Sequence, residues 1–179
     1  MKKFYYLFVI TLGLLSCSDS SDDQEEMEDI NPSQFAMTAN INGTSFKGND
    51  PLCGNCASST TVYNYFPEDE YIMLQAWDSE VGFQKSISIW LKKSLLAVGT
   101  YEIPNQTFEN PSTHFIELVD ITTSHPEETY SGTLKITELN TSNKIVQGTF
   151  EFETIDYIGD PNQTITVRVT DGTFSYKYE

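Results

Sequence analysis

Basic residues are scarce in this chain. Ten Lys and Arg stand against 26 Asp and Glu, a formal net charge of −16 over 179 residues. Binding to phosphate backbones needs a cluster of cations, and past the N-terminal Lys2-Lys3 only Lys92-Lys93 are adjacent. Nucleic acid is therefore excluded as a partner. The acidic excess favours solubility and names no specific ligand. Histidine is scarcer still: His114 precedes Phe115 on an expected strand, and His125 precedes Pro126 in an acidic loop. With no Gly-x-Ser-x-Gly turn to present a serine, a hydrolytic triad draws no support. Among 26 acids some pair falls at glycosidase spacing by chance, so carboxylate pairs carry no signal. A long apolar run is also missing. The run Phe4–Leu15 falls short of the roughly 18 residues that cross a bilayer as a helix.

That short run is nonetheless informative. Lys2 and Lys3 precede it and Leu14-Leu15-Ser16-Cys17 closes it, the layout of an export signal. Leu-Leu-Ser-Cys resembles the lipobox of bacterial lipoprotein signals. The resemblance implies cleavage before Cys17 and lipidation of Cys17, and two or more acyl chains anchor a protein stably. Residues 1–16 are then a signal peptide. Residues 17–31 are a lipidated cysteine and acidic tether, with seven acids between Ser18 and Asp29, too polar to fold. The acids following Cys17 also resemble the surface-export signal of Bacteroidetes lipoproteins. That resemblance implies an outer-membrane lipoprotein in the outer leaflet, facing the medium, with periplasm-facing anchoring as the alternative and the membrane as partner through its lipid.

Of three cysteines, Cys53 and Cys56 remain. In an exported chain pairing is the default, so Cys53-Gly54-Asn55-Cys56 reads as a disulfide pinning a loop. A redox Cys-x-x-Cys needs a following helix to lower the thiol pKa, whereas here Ala57–Val62 reads as loop entering a strand. As a zinc half-site it lacks a second pair.

Residues 32–179 form one domain by composition. Apolar and polar residues alternate over Phe35–Ile41 and again over Phe83–Leu91, where Ile87, Ile89 and Leu91 oppose Ser86, Ser88 and Trp90. Asn42-Gly43 predicts a type I′ hairpin turn returning through Thr44–Lys47. Thr60–Phe66 and Tyr71–Trp77 are β-branched and aromatic, with Pro67–Glu70 as a turn between them. A local pattern of Gly, Thr, apolar, polar, apolar recurs at Gly99, Gly132, Gly148 and Gly172. Each glycine is expected to permit a kink or bulge, with the two apolar residues sharing a face. Asp171-Gly172 fits a bulge in one long strand better than a hairpin. Short strands with frequent turns and no helical stripe predict an all-β antiparallel β-sandwich, with a small lipocalin-like β-barrel as the alternative.

The layout is similar to small Bacteroidetes lipoproteins carrying a domain of unknown function. The residues concerned are the Leu14–Cys17 lipobox and acidic tether, Met37–Phe46, Gly99–Tyr101, Gly132–Leu139, Gly148–Phe152 and Val169–Phe174. The resemblance implies fold class and location and brings no catalytic residues.

Two ligand sets are conceivable. Tyr63, Tyr65, Trp77 and Trp90 could present an aromatic platform to a glycan or peptide. Asp156, Asp160 and Asn162 gather oxygens around Gly159 in the manner of a weak calcium loop, without the Asp-x-Asp-x-Asp-Gly spacing. No cofactor or resident metal is expected. The expectation is a lipid-anchored, non-enzymatic binding or structural module with a glycan, peptide or envelope-protein partner. A surface hydrolase or thiol-active enzyme, and a lipocalin-like carrier, are the alternatives.

Overall fold

A computed structural model describes residues 35–49, 61–62, 70–78, 82, 84–105, 112–123, 127–155, 162 and 164–178, all within one compact unit, Pro32–Glu179. The signal peptide, the tether, Cys17, Cys53, Cys56, Tyr63, Tyr65, His125, Asp156 and Asp160 lie outside the described residues.

The strands are β1 (Met37–Ile41), β2 (Thr44–Asn49), β3 (Thr61–Val62), β4 (Tyr71–Asp78) and β5 (Lys85–Lys92). They continue with β6 (Gly99–Ile103), β7 (Phe115–Asp120), β8 (Glu128–Asn140), β9 (Ile145–Ile155) and β10 (Ile165–Tyr178). Nine of them form one antiparallel sheet in the order β6-β8-β9-β10-β1-β2-β4-β5-β7, and β3 adds in parallel to the end of β10. The sheet nearly closes on itself, since β7 meets the start of β8 through a Leu118–Glu127 bridge. There the buried Thr129 hydroxyl donates to the Ile116 carbonyl. The all-β expectation holds, and this curled sheet is compatible with either a sandwich or a small barrel. Asn42 and Gly43 take φ of 48° and 80°, the conformation a type I′ turn requires. The Asn42 side chain then accepts the Arg168 N–H at 2.8 Å, tying the hairpin to β10.

Alternation sorts each strand into an inner and an outer face. Met37, Ala39 and Ile41 point inward, as do Val146, Phe150 and Phe152 on β9. These side chains and those of β4, β5, β7, β8 and β10 form one apolar cluster in the interior. Tyr176, inward on β10, donates its hydroxyl to the Gln75 carbonyl on β4 at 2.8 Å.

The four recurring glycine motifs occupy four adjacent strands, β6, β8, β9 and β10. Their register interlocks: Gly132 pairs with Ile103 and Phe152, Gly148 with Ile136 and Phe174, and Gly172 with Phe150. A Cβ on Gly148 would lie 2.1 Å from the Lys135 carbonyl oxygen and 2.6 Å from the Phe174 ring. On Gly172 it would lie 2.6 Å from the Phe150 ring. At Gly132, Gly148 and Gly172 the need for glycine is therefore close approach by the neighbouring strand, its carbonyl oxygen first and an aromatic residue with it, and none of them takes a positive φ. The bulge in β10 falls just before Gly172, where Asp171 takes a φ of 53° and the registers with both β1 and β9 shift. Residues 165–178 are thus one bent strand, as the Asp171-Gly172 reading favours.

Over β4, β5 and β7 both sheet faces are covered. Ile87, Ile89 and Leu91 join the interior, while Trp90 joins Tyr71, Met73 and Phe115 in a second cluster on the outer face.

Candidate functional site

The motif that buries glycine and its apolar residues turns its Thr and its polar residue to the outer face. The β6-β8-β9-β10 sheet therefore carries polar rows running across the strands. Thr133 is paired with Glu102 on one side and Glu151 on the other. One step along, Lys135 is paired with Thr100 and Thr149, and Thr149 with Thr173. Thr173 shares a hydrogen bond of 2.8 Å with the Thr38 hydroxyl on β1.

Two adjoining shallow depressions follow these rows. One of about 350 Å³ is lined by Glu102, Thr133, Glu151, Glu153 and Arg168 among others. The second, of about 490 Å³, is lined by Thr100, Lys135, Thr149 and Thr173 and shares Thr133 and Glu151 with the first. Arg168 is ion-paired with Glu153 across β10 and β9. The Asp171 carboxylate accepts from Asn40 Nδ2 at 2.9 Å and from the Thr170 hydroxyl at 3.1 Å. Arg168 and Asp171 are thus held in place. The remaining hydroxyls and carboxylates offer both donors and acceptors to a ligand lying along the sheet.

The expected site residues fall elsewhere. Trp90 is 3 % exposed, so it offers no open ring to a ligand. The aromatic platform expected at Trp90 is corrected to core packing. Large rings gain more from burial than from exposure unless their polar atom lacks a partner. Trp77 is half-buried on β4 opposite Ser86. Asn162 lies in an exposed turn. Tyr63, Tyr65, Cys53, Cys56, Asp156 and Asp160 are outside the described residues. No group of three or more His, Cys, Asp or Glu among the described residues is placed to hold a metal ion. The outer-face threonines were not singled out from the sequence. Their signal was the fixed second position of the recurring motif.

The most displaced titrating group among the described residues is a histidine that packs against Tyr101 of β6. His114 is fully buried, and its Nδ1 accepts the Lys92 N–H at 3.0 Å. Its ring meets Tyr101 edge-on at 4.3 Å. Burial pushes its pKa down to about 4, and the hydrogen bond to the Leu95 carbonyl only partly opposes this. Such a neutral imidazole bonded to backbone is a structural group. Burial also raises the Glu117 carboxyl, against the Trp90 hydrogen bond. At Asp120 burial acts upward too, but the Lys85 ammonium and the Thr122 donors outweigh it and hold the group low.

Comparison with protein-family models, with curated proteins and with solved structures finds no match to this chain.

Proposed function

We propose that the chain is a lipid-anchored, non-enzymatic binding module of the cell envelope, and that its β6-β8-β9-β10 face takes an uncharged, hydroxyl-bearing ligand such as a glycan. The observation carrying this reading is the pair of adjoining depressions in which Thr133 stands between Glu102 and Glu151. Carboxylates accept pairs of hydroxyl donors, and threonines give and take a hydrogen bond each. The net charge of −16 disfavours acidic polymers. The burial of His114 against backbone supports a non-catalytic role, because the imidazole has no access to a substrate. A ligand lumen draws no support from the interior, where the inward side chains pack against one another. The anchor rests on the lipobox-like Leu14–Cys17 and the acidic tether behind it.

Affinity electrophoresis in neutral, cationic and acidic polysaccharides tests the face. Retardation by a neutral polymer is expected, and Glu151→Ala should raise its Kd by about tenfold or more, the worth of hydrogen bonds to a charged group. Retardation by none of the polymers, or binding indifferent to Glu151→Ala, refutes the assignment. For the anchor, labelled palmitate should enter the wild-type protein and be absent from Cys17→Ala. Label retained in that variant would remove the lipid from the account.

A further inference from the structure

The free side of β6 follows from the hydrogen bonding of its neighbours. Along an antiparallel strand successive residues bond to opposite sides. The Tyr178 N–H donates to the Lys144 carbonyl at 2.7 Å, so Val146, Gly148 and Phe150, in step with Lys144 along β9, also bond to β10. Thr149 and Glu151 then bond to β8, through Lys135 and Thr133. That leaves Gly132, Leu134 and Ile136 to bond to β6, through Ile103, Tyr101 and Gly99. The backbone N–H and carbonyl groups of Thr100 and Glu102 consequently point away from β8, and among the described residues no backbone group meets them.

Apart from being short, β6 carries none of the devices that blunt a sheet edge: it has no Lys, no internal Pro and no bulge. Apolar surface lies beside it. Of the three large apolar side chains exposed among the described residues, Leu95 and Val98 flank this edge. Leu95 lends its carbonyl to the Tyr101 hydroxyl, and Val98 directly precedes β6. Exposed apolar side chains next to unpaired backbone mark a contact surface.

We propose that β6 is a pairing edge for a second copy of this chain, the two β6 strands running antiparallel about a twofold axis at Tyr101. In this register Thr100 of each copy faces Glu102 of the other. These are the residues with outward backbone groups, so each such pair exchanges both of its hydrogen bonds. Their side chains agree, since Thr opposite Glu is a pairing this sheet already uses, at Thr133 with Glu102 and with Glu151. Sliding by two residues one way would set Glu102 against Glu102, a like-charge pair, and the other way would set Val98 against Glu102. In the favoured register Val98 opposes Pro104, which has no N–H and ends the ladder. The edge is thus its own complement. So short an interface is of the transient class, and a net charge of −16 on each copy makes it stronger as salt rises. Pairing would also run the outer polar face of one copy into that of the next, so that one long glycan spans both. That consequence rests on the binding reading above; the pairing itself does not.

Sedimentation of the intact protein without ligand should show a monomer–dimer equilibrium that strengthens between low salt and about 0.5 M NaCl. Register is read by disulfide trapping. Thr100→Cys mixed with Glu102→Cys brings the two thiols to opposing positions about 5.5 Å apart at Cα, within disulfide reach. Under mild oxidation the mixture should give about fivefold or more cross-linked dimer than either variant alone, the native cysteines contributing equally to all three samples. A monomer at the highest attainable concentration in both salts overturns the proposal. So does equal cross-linking of the mixture and the single variants. Neither measurement uses a glycan, so a failure of glycan binding is read separately.

Discussion

Gly148→Ala is expected to cost about 3 kcal/mol, the upper range for overpacking a filled core, and to lower Tm by roughly 10 °C for a domain of this size. The added methyl would stand 2.1 Å from the Lys135 carbonyl oxygen, and that oxygen belongs to a paired strand that cannot shift alone. It would also stand 2.6 and 2.8 Å from two atoms of the Phe174 ring. Combining it with Phe174→Leu should restore only part of the loss, because the ring is relieved and the carbonyl is not. Gly99→Ala is the matched control. Its nearest neighbour would be the Tyr101 hydroxyl at 3.5 Å, an ordinary contact, and the cost should stay within about 0.5 kcal/mol. Thermal melts of the three variants decide the matter. A Gly148→Ala melt as mild as that of Gly99→Ala would show that close approach by the neighbouring strand is not what these positions demand.

Acidification from pH 6.5 to pH 4 is expected to remove up to about 3 kcal/mol of stability through His114 alone. The folded pKa of about 4 lies below the ordinary value of 6.5, so within that window the unfolded chain binds more protons. Stability from this group is therefore complete above pH 6.5 and is lost as pH falls towards 4. Asp120, also held low, adds loss in the same direction at more acidic pH. Glu117 works the other way: its raised carboxyl contributes stability at low pH that is lost as pH rises. Urea melts at pH 7, 5.5 and 4 should show the slope in the wild type and a much flatter one in His114→Asn. Parallel slopes in the two proteins would mean that His114 is not the titrating group.

Local order was the part of this fold open to sequence reasoning. Alternation along Phe83–Leu91 located β5, and Asn42-Gly43 located the first hairpin, because both are set by residues near in sequence. The partners of the recurring glycines were not visible, since Gly148 meets Phe174 only through the order of β9 and β10. For the same reason the threonine rows stayed hidden, as they assemble from strands whose adjacency is a long-range fact. Trp90 marks the limit of period-two reasoning. Alternation placed it opposite Ile87, Ile89 and Leu91, but only the second cluster on that side shows it to be buried. His114 was placed beside a strand, and its value to the closure came from Lys92 and Tyr101, neither of them near in sequence.

The pairing of β1 with β10 couples the first strand of the sheet to the last, Met37 against Phe174. Contacts of such long sequence separation form slowly, because most of the chain must be gathered before they reward the ordering. During synthesis the β1-β2 hairpin can therefore meet β4 early, through Gly48 and Asn49, but gains its second neighbour only once the final strand has emerged. The ladder that joins the two ends of the described sheet is therefore the last part of it to be completed.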